Sequence, residues 1–183
     1  MLKITIPATE LYDEQNNRFY KSKETTLSLE HSLVSISKWE SKWHKAFYDK
    51  RAKTREETLD YIRCMTISPT NVDPTVYLCL NKDNFDSINN YISDPMTASF
   101  LMSYTNKEAG PKEVVTSELI YYWMISLNIP FDPCQKWHIN RLFALIGIAE
   151  RKNAPKKSFS KRQMMTNNAA MNAARRAKYH SKG

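Results

Sequence analysis

The distribution of charge constrains the fold of this chain more than any other feature of its sequence. No Asp or Glu follows Glu150, whereas ten of the 27 lysines and arginines lie in residues 151–183. Residues 1–150 keep 17 basic and all 19 acidic side chains, so they are close to neutral. A segment with ten like charges gains too little from its own contacts to compensate the entropy lost when it becomes ordered. A body of 150 residues, in contrast, can bury a self-supporting core. The sequence therefore predicts a folded body followed by a basic tail with a partner of its own.

Scarce glycine and alternating residues predict a mainly helical body with a small N-terminal sheet. The chain has three glycines, which leaves few positions for the tight left-handed turns of a β-sandwich or barrel. Residues 3–6 and 25–29 alternate polar and apolar side chains, and residues 13–17 form a polar turn cluster between residues 11–12 and 18–20. Because these connections are too short for parallel crossovers, we expect the strands to be antiparallel.

Capping residues and helical periodicity predict the helices that follow. Ser32 is in position to cap a helix whose apolar residues recur through Phe47, and Thr54 with Glu57 fits a capping box for the next helix. Asp73, followed by a proline, indicates the start of a third helix. Further helices are predicted at residues 84–92, 117–128 and 132–151, with a loop at residues 103–112.

The basic tail contains a helix-prone segment with little apolar surface. Residues 153–158 form a linker with proline and lysines, and Ser160 with Gln163 is a candidate capping box for a helix that runs to Tyr179. An isolated helix of this kind is not stable, so we expect it to be disordered or to order on a partner. Its large apolar residues before Tyr179 are Met164, Met165 and Met171.

These patterns predict three regions and one fold class. The regions are a β-hairpin region in residues 1–31 that packs on the helical body, a helical domain in residues 32–152 and the basic tail in residues 153–183. The predicted class is mainly α, with a small N-terminal antiparallel sheet, a compact helical domain and a C-terminal tail that is helical or disordered.

The sequence contains no motif on which an enzymatic function could be argued. Glu30, His31 and Ser32 are adjacent, but neighbours on an extended segment point to opposite faces and cannot align as nucleophile and base. Cys134 and His138 could supply two metal ligands, which is fewer than a structural zinc site needs. We interpret them as a buried cysteine and a surface histidine. We therefore predict a protein that is not an enzyme and that uses no cofactor and no metal.

Cysteine usage and hydropathy predict a cytoplasmic protein. Cys64, Cys79 and Cys134 are widely spaced and odd in number, which is typical of reduced thiols. We see no signal peptide at the N-terminus, and no apolar run approaches the roughly 20 residues that a membrane-spanning helix needs. We expect a soluble protein with no membrane partner.

Five stretches of the chain resemble small proteins of long-tailed bacteriophages. They run in order over nearly the whole chain, at Leu29–Trp43, Asp60–Thr66, Pro95–Ala98, Glu118–Met124 and Asn172–Lys178. On these residues the chain is similar to the family labelled tail assembly chaperone, which is sited between the major tail protein and the tape measure protein. The resemblance implies a non-enzymatic factor of virion morphogenesis that acts in the host cytoplasm.

The resemblance also implies two partner-binding regions. A tape measure protein is long, helical and apolar, and a chaperone would hold its amphipathic stretches in a groove of aromatic and Met side chains, which re-pack easily. Here that groove would draw on Trp39, Trp43, Tyr121, Tyr122, Trp123 and Met124, and the alternative for each is a place in the core. The basic tail would dock on an acidic or helical partner through Lys156, Lys157, Lys161, Arg162, Arg175, Arg176 and Lys178.

Two other functions fit the same sequence. A structural protein of the virion tail or neck would thread its basic tail into a neighbouring subunit and would show large apolar interfaces between copies. A nucleic-acid-binding protein would use the ten cations of the tail, and its affinity would fall steeply with salt, although no base-reading motif is visible. A homo-oligomer is compatible with each function, and the alternative location is the virion.

Overall fold

The computed structural model of the protein describes residues 1–13, 17–98, 114–153 and 161–179. The chain divides into two compact units, Met1–Arg151 and Lys152–Gly183. The predicted loop at residues 103–112, most of the predicted linker and the predicted cap Ser160 lie outside the described residues.

The N-terminal segment forms two antiparallel strand pairs, one nested inside the other along the chain. The outer pair joins β1 (Leu2–Ile6) to β4 (Thr25–Leu29), and the inner pair is a hairpin of β2 (Thr9–Asp13) and β3 (Arg18–Ser22). Alternate side chains of β1 and β4 are buried, as expected for a sheet with one face on the core. The predicted antiparallel arrangement is confirmed.

A fifth strand, β5 (Thr66–Ser68), completes a three-stranded sheet in the order β1–β4–β5. The sequence pattern does not predict this strand. β5 follows the preceding helix directly, and the Glu30 backbone N–H donates to the Met65 carbonyl at 2.9 Å. Three residues are too few to show an alternating pattern, so this strand depends on its pairing with β4.

Three helices of the first unit begin at the predicted capping residues. The Ser32 and Thr54 side chains accept hydrogen bonds from the backbone N–H groups of Ser35 and Glu57, and Asp73 caps the helix that begins with a proline. These three predicted caps are confirmed. Within the described residues the helices are α1 (Leu33–Trp43), α2 (Arg55–Met65), α3 (Pro74–Leu78), α4 (Lys82–Ser93), α5 (Ser117–Ser126), α6 (Phe131–Cys134) and α7 (Ile139–Asn153).

Helix α1 is shorter than its apolar periodicity indicates. It ends at Trp43 instead of Phe47, because His44 adopts a left-handed conformation with φ 51° and ψ 38°. The chain then turns back, and the Phe47 N–H donates to Glu40 Oε1 at 2.7 Å. A side-chain acceptor thus replaces the helical carbonyl, and Phe47 reaches the core from outside the helix.

The long helix predicted from Asp132 is divided in two. Asp132 itself has non-helical backbone angles, α6 ends at Cys134, and α7 begins at Ile139. The Ile139 N–H donates to the His31 carbonyl at 2.7 Å, a contact across the fold that fixes the start of α7. Periodicity along one segment cannot reveal this long-range hydrogen bond.

Strands and helices of the first unit share one hydrophobic core. Ile6, Leu27 and Leu29 form the buried face of the sheet, and they belong to the same cluster as buried side chains of α1, α2, α5 and α7. The predicted mainly helical class with a small N-terminal antiparallel sheet is confirmed. Fully buried members from the helices include Leu33, Ile36, Trp39, Ile62, Met65, Ile120, Met124 and Ile139.

The second unit contains helix α8 (Lys161–Tyr179). Every side chain described from residue 165 to residue 179 is exposed, including Met165 and Met171. The helix has no acidic residue, so its cations have no intrahelical ion-pair partner.

Candidate protein-binding surface

Helix α5 is apolar around most of its circumference although one side of it faces solvent. Ser117, Ile120 and Met124 are buried on its inner side. On the outer side, Tyr122 and Ile125 are each 62% exposed. A helix that is hydrophobic all round is normally covered on every side, so an uncovered apolar side marks a candidate contact surface.

Buried Glu40 holds the N-terminus of α5 against α1. Glu40 is 7% exposed, and its Oε2 accepts the Ser117 N–H at 2.7 Å while its Oε1 accepts the Phe47 N–H. A carboxylate in this position also faces the positive end of the helix dipole. One side chain therefore joins α1, the chain after it and α5, and this fixes the orientation of the outer side of α5.

Two further side chains extend the apolar area beyond Tyr122 and Ile125. Tyr121 is partly buried and packs edge-on against Phe131, with ring centroids 5.3 Å apart, and its hydroxyl lies 3.2 Å from Gln135 Oε1. Phe131, at the start of α6, is 42% exposed. We call Tyr121, Tyr122, Ile125 and Phe131 together the α5 surface.

The structure divides the six predicted apolar contact residues between core and surface. Trp39 and Met124 are 1% and 0% exposed, so they belong to the core and cannot contact a partner. The Trp39 indole N–H is also satisfied internally, by the Glu57 carbonyl at 2.9 Å. The assignment of these two residues to a partner groove is therefore wrong, because both lie on inward sides of their helices.

The other four predicted residues are at least partly accessible. Trp43 is partly buried against the core, and its indole N–H donates to Asp60 Oδ2 at 3.0 Å, which anchors it between α1 and α2. Trp123 is also partly buried against the core. Only Tyr121 and Tyr122 belong to the α5 surface. Sequence reasoning missed Ile125, although it lies three residues after Tyr122 and therefore on the same side of the helix.

A polar cavity of about 290 Å³ lies at the N-terminal end of α5. Glu40 and Glu118 contribute its two carboxylates, and Lys45 its ammonium group. Lys45 already forms an ion pair with Glu57 at 2.5 Å. Glu118 is exposed on α5 one turn before Tyr122, so the cavity borders the α5 surface. The other lining residues are Ser41, His44, Ala46 and Thr116.

The predicted basic contact residues are only partly described. Lys156 and Lys157 lie outside the described residues, and Lys161 and Arg162 belong to the first turn of α8. Arg175, Arg176 and Lys178 are exposed within the last five residues of α8. These three cations are near the C-terminus of the helix, where its dipole favours positive charge.

Two histidines lie side by side inside the first unit. The rings of His31 and His138 are 5.1 Å apart between centroids. His31 Nδ1 is hydrogen-bonded to the Tyr61 hydroxyl, and His138 Nε2 lies 2.9 Å from the Tyr91 carbonyl oxygen. Burial, together with the neighbouring His138, lowers the pKa of His31 to about 3. Burial also lowers the pKa of His138.

The histidine pair corrects one interpretation made from the sequence. His138 is 5% exposed, so its assignment as a surface histidine is wrong, whereas Cys134 is buried as expected. A bridge between the backbones of Ser32 and His138 draws this residue inward. Ser32 itself is occupied as the cap of α1.

The described residues offer neither a metal site nor a membrane span. No group of three or more His, Cys, Asp or Glu in the described residues could hold a metal ion. None of the described helices is both long and apolar enough to cross a bilayer. Comparison with known proteins identifies no relative, since no family model, curated protein or solved structure matches the chain.

Proposed function

We propose that the protein is a non-enzymatic assembly factor of a long-tailed bacteriophage that binds the tape measure protein, or another tail protein, through the α5 surface. The observation that carries this proposal is the uncovered apolar side of α5. The stretch Glu118–Met124, which forms most of α5, is also one of the five stretches that resemble the tail assembly chaperones. A tape measure protein supplies the amphipathic helices that such a surface can hold.

The size of the α5 surface favours a transient contact. Aromatic side chains bury roughly 150–250 Å² each, so the exposed parts of Tyr122, Ile125 and Phe131 amount to roughly 300 Å². A stable interface needs about 800 Å² from each partner. Contact with a single helix fits the smaller area. A factor that must release its partner when the tail tube polymerises needs a weak contact of this kind.

Co-expression with the tape measure protein of a long-tailed bacteriophage tests the proposal. The chain should keep that protein soluble, and Ile125→Ser should lower the soluble fraction because it removes apolar contact area. Ile67→Ser is the matched control, since Ile67 is similarly exposed at 53% but lies on β5. Equal loss of solubility with both variants, or no rescue by the unmodified chain, would contradict the proposal.

Mass spectrometry of purified virions distinguishes the assembly factor from a structural protein. An assembly factor should be absent from mature particles and present in lysates of infected cells. Stoichiometric recovery in virions would favour the alternative function, a component of the tail or neck.

The exposed cations of α8 favour nucleic-acid binding as a second candidate function. Arg175, Arg176 and Lys178 lie within four residues of one another, and no acidic side chain follows Glu150. Binding of this type is dominated by phosphate contacts and weakens steeply with salt. A gel-shift assay in low and moderate salt tests it. A sequence-specific complex that survives moderate salt would favour this function over the assembly factor.

A further inference from the structure

The charges that the α5 segment itself carries are acidic, and the ammonium of Lys45 in the adjoining cavity is paired with Glu57. From residue 114 to residue 135 the sequence has no Lys or Arg, and its only charged side chains are Glu118 and Asp132. Asp132 is neutralised by Lys136, whose ammonium lies 2.6 Å away. Among the described residues no cation lies within ion-pair distance of Glu118, which is exposed on α5. Within the described part of the chain, Glu118 is thus a carboxylate without an ion pair at the edge of an apolar surface.

The position of Glu118 fits one geometry of partner. Glu118, Tyr122 and Ile125 follow one another at spacings of four and three residues and so form a single stripe along α5. One helical turn, about 5.4 Å, separates the carboxylate from the first apolar contact. The polar cavity of about 290 Å³ opens beside Glu118, and its second carboxylate, Glu40, is bound by backbone N–H groups alone among the described residues. A long cationic side chain can therefore enter beside Glu118 while its helix lies on Tyr122 and Ile125.

We propose that the α5 surface selects a basic amphipathic helix, with a Lys or Arg of the partner against Glu118 and apolar residues one and two turns away against Tyr122 and Ile125. This inference rests on the proposed function and adds the charge and the spacing of the segment that is recognised. The apolar contacts supply most of the affinity, and the ion pair fixes the direction of the helix and excludes acidic partners.

Two synthetic helical peptides test the inference on the purified full chain. Both carry the same Leu, Met and Ala face, and they differ at one position, Lys or Gln, four residues from the first apolar anchor. Fluorescence anisotropy at low salt measures the two dissociation constants. The Lys peptide should bind about fivefold more tightly, as expected for one ion pair at the edge of an interface.

Two variants of the full chain connect this preference to Glu118. With Glu118→Gln the two peptides should bind equally. Glu24→Gln is the matched control, because Glu24 is exposed, has no ion pair among the described residues and lies between β3 and β4. This control changes the net charge of the chain by the same amount as Glu118→Gln and should keep the fivefold ratio of the two dissociation constants. Comparison of the two variants therefore removes the long-range effect of the basic tail.

The outcomes separate this inference from the proposed function. Binding of both peptides with a ratio that Glu118→Gln leaves unchanged would overturn the inference and leave the proposed function standing. If neither peptide binds, both the inference and the proposed function are overturned. Concentration-dependent self-association of the chain that Glu118→Gln abolishes would assign the surface to a second copy and would also overturn the inference.

Discussion

Lowering the pH from about 7.5 to about 5.5 should destabilise the first unit through His31. Its imidazole is buried, its Nδ1 is hydrogen-bonded to the Tyr61 hydroxyl, and His138 lies beside it. Burial raises the pKa of Tyr61, so this hydroxyl keeps its proton and offers no negative charge to a protonated imidazole. Protonation of His31 would place a charge in a buried site beside a second imidazole. The folded state therefore resists protonation.

The size of the effect follows from linkage between protonation and folding. In the unfolded chain a histidine has a pKa of about 6.5, whereas burial lowers the pKa of His31 in the folded chain to about 3. The unfolded state binds more protons throughout this interval, so stability is lost as the pH falls. For His31 alone the loss between about pH 7.5 and about pH 5.5 is about 1.4 kcal/mol. His138, whose pKa is also lowered, adds to the loss.

The chosen window separates histidines from carboxylates. The Lys45 ammonium holds the pKa of Glu57 below its usual value, and Arg51 does the same for Asp49. These groups contribute stability that is present above their unfolded pKa values and is lost only as the pH falls further, below about 4.5. A loss above about pH 5.5 therefore reports the histidines.

Urea unfolding followed by tryptophan fluorescence measures the effect. All four tryptophans lie between residues 39 and 137, so the signal reports the first unit alone. His31→Asn should reduce the dependence of the unfolding free energy on pH, whereas His44→Asn, on an exposed histidine, should not. Equal unfolding free energies at the two pH values in the unmodified chain would refute the reasoning. An unchanged dependence in His31→Asn would refute it as well.

Two further predictions concern the interior of the first unit and the independence of the second. Glu40→Gln should lower the unfolding free energy by about 2 kcal/mol, because a Gln has one acceptor oxygen for the two buried N–H groups of Phe47 and Ser117. Glu118→Gln, on an exposed carboxylate of the same cavity, should change it by less than about 0.5 kcal/mol, and equal effects in urea unfolding would contradict the assigned role of Glu40. Deletion of residues 154–183 should leave the urea midpoint of the first unit unchanged, since the two units are separately compact; an unfolded product by circular dichroism would contradict this.

Local features of the fold could be predicted from the sequence because their cause is local. Ser32 and Thr54 cap helices through bonds to residues three positions further on, and such bonds appear in the sequence as fixed spacings. The strands β1 and β4 were recognisable from alternation for the same reason. The end of α1 and the start of α7 were not, because contacts across the fold determine both.

The α5 surface could be predicted only in part. Periodicity shows which side of a helix is buried when apolar and polar residues alternate with the helical turn. In α5 one broad apolar side includes Met124, but apolar side chains such as Tyr122 continue around the helix, so the pattern does not show which of them stay exposed. Burial resolves this, with Met124 at 0% and Tyr122 at 62% exposure.

For the basic tail, the sequence predicts a separate segment but not its partner. The absence of acidic residues after Glu150 predicts a separate segment, and the division of the chain at residue 151 agrees with the position of that change. Charge alone cannot distinguish a protein partner from a nucleic acid, since both are attracted by the same cations. The proposed assembly function therefore rests on the α5 surface.

Photo-crosslinking from position 122 tests the central claim most directly. Benzoylphenylalanine in place of Tyr122 should crosslink the full chain to the co-expressed tape measure protein. The same probe in place of Phe19, which is 67% exposed on the β2–β3 hairpin, should not. Protease mapping of the crosslinked product should place the attachment in a helical segment of the partner. Crosslinks of equal yield from both positions, or from Phe19 alone, would contradict the assignment of α5 as the contact surface.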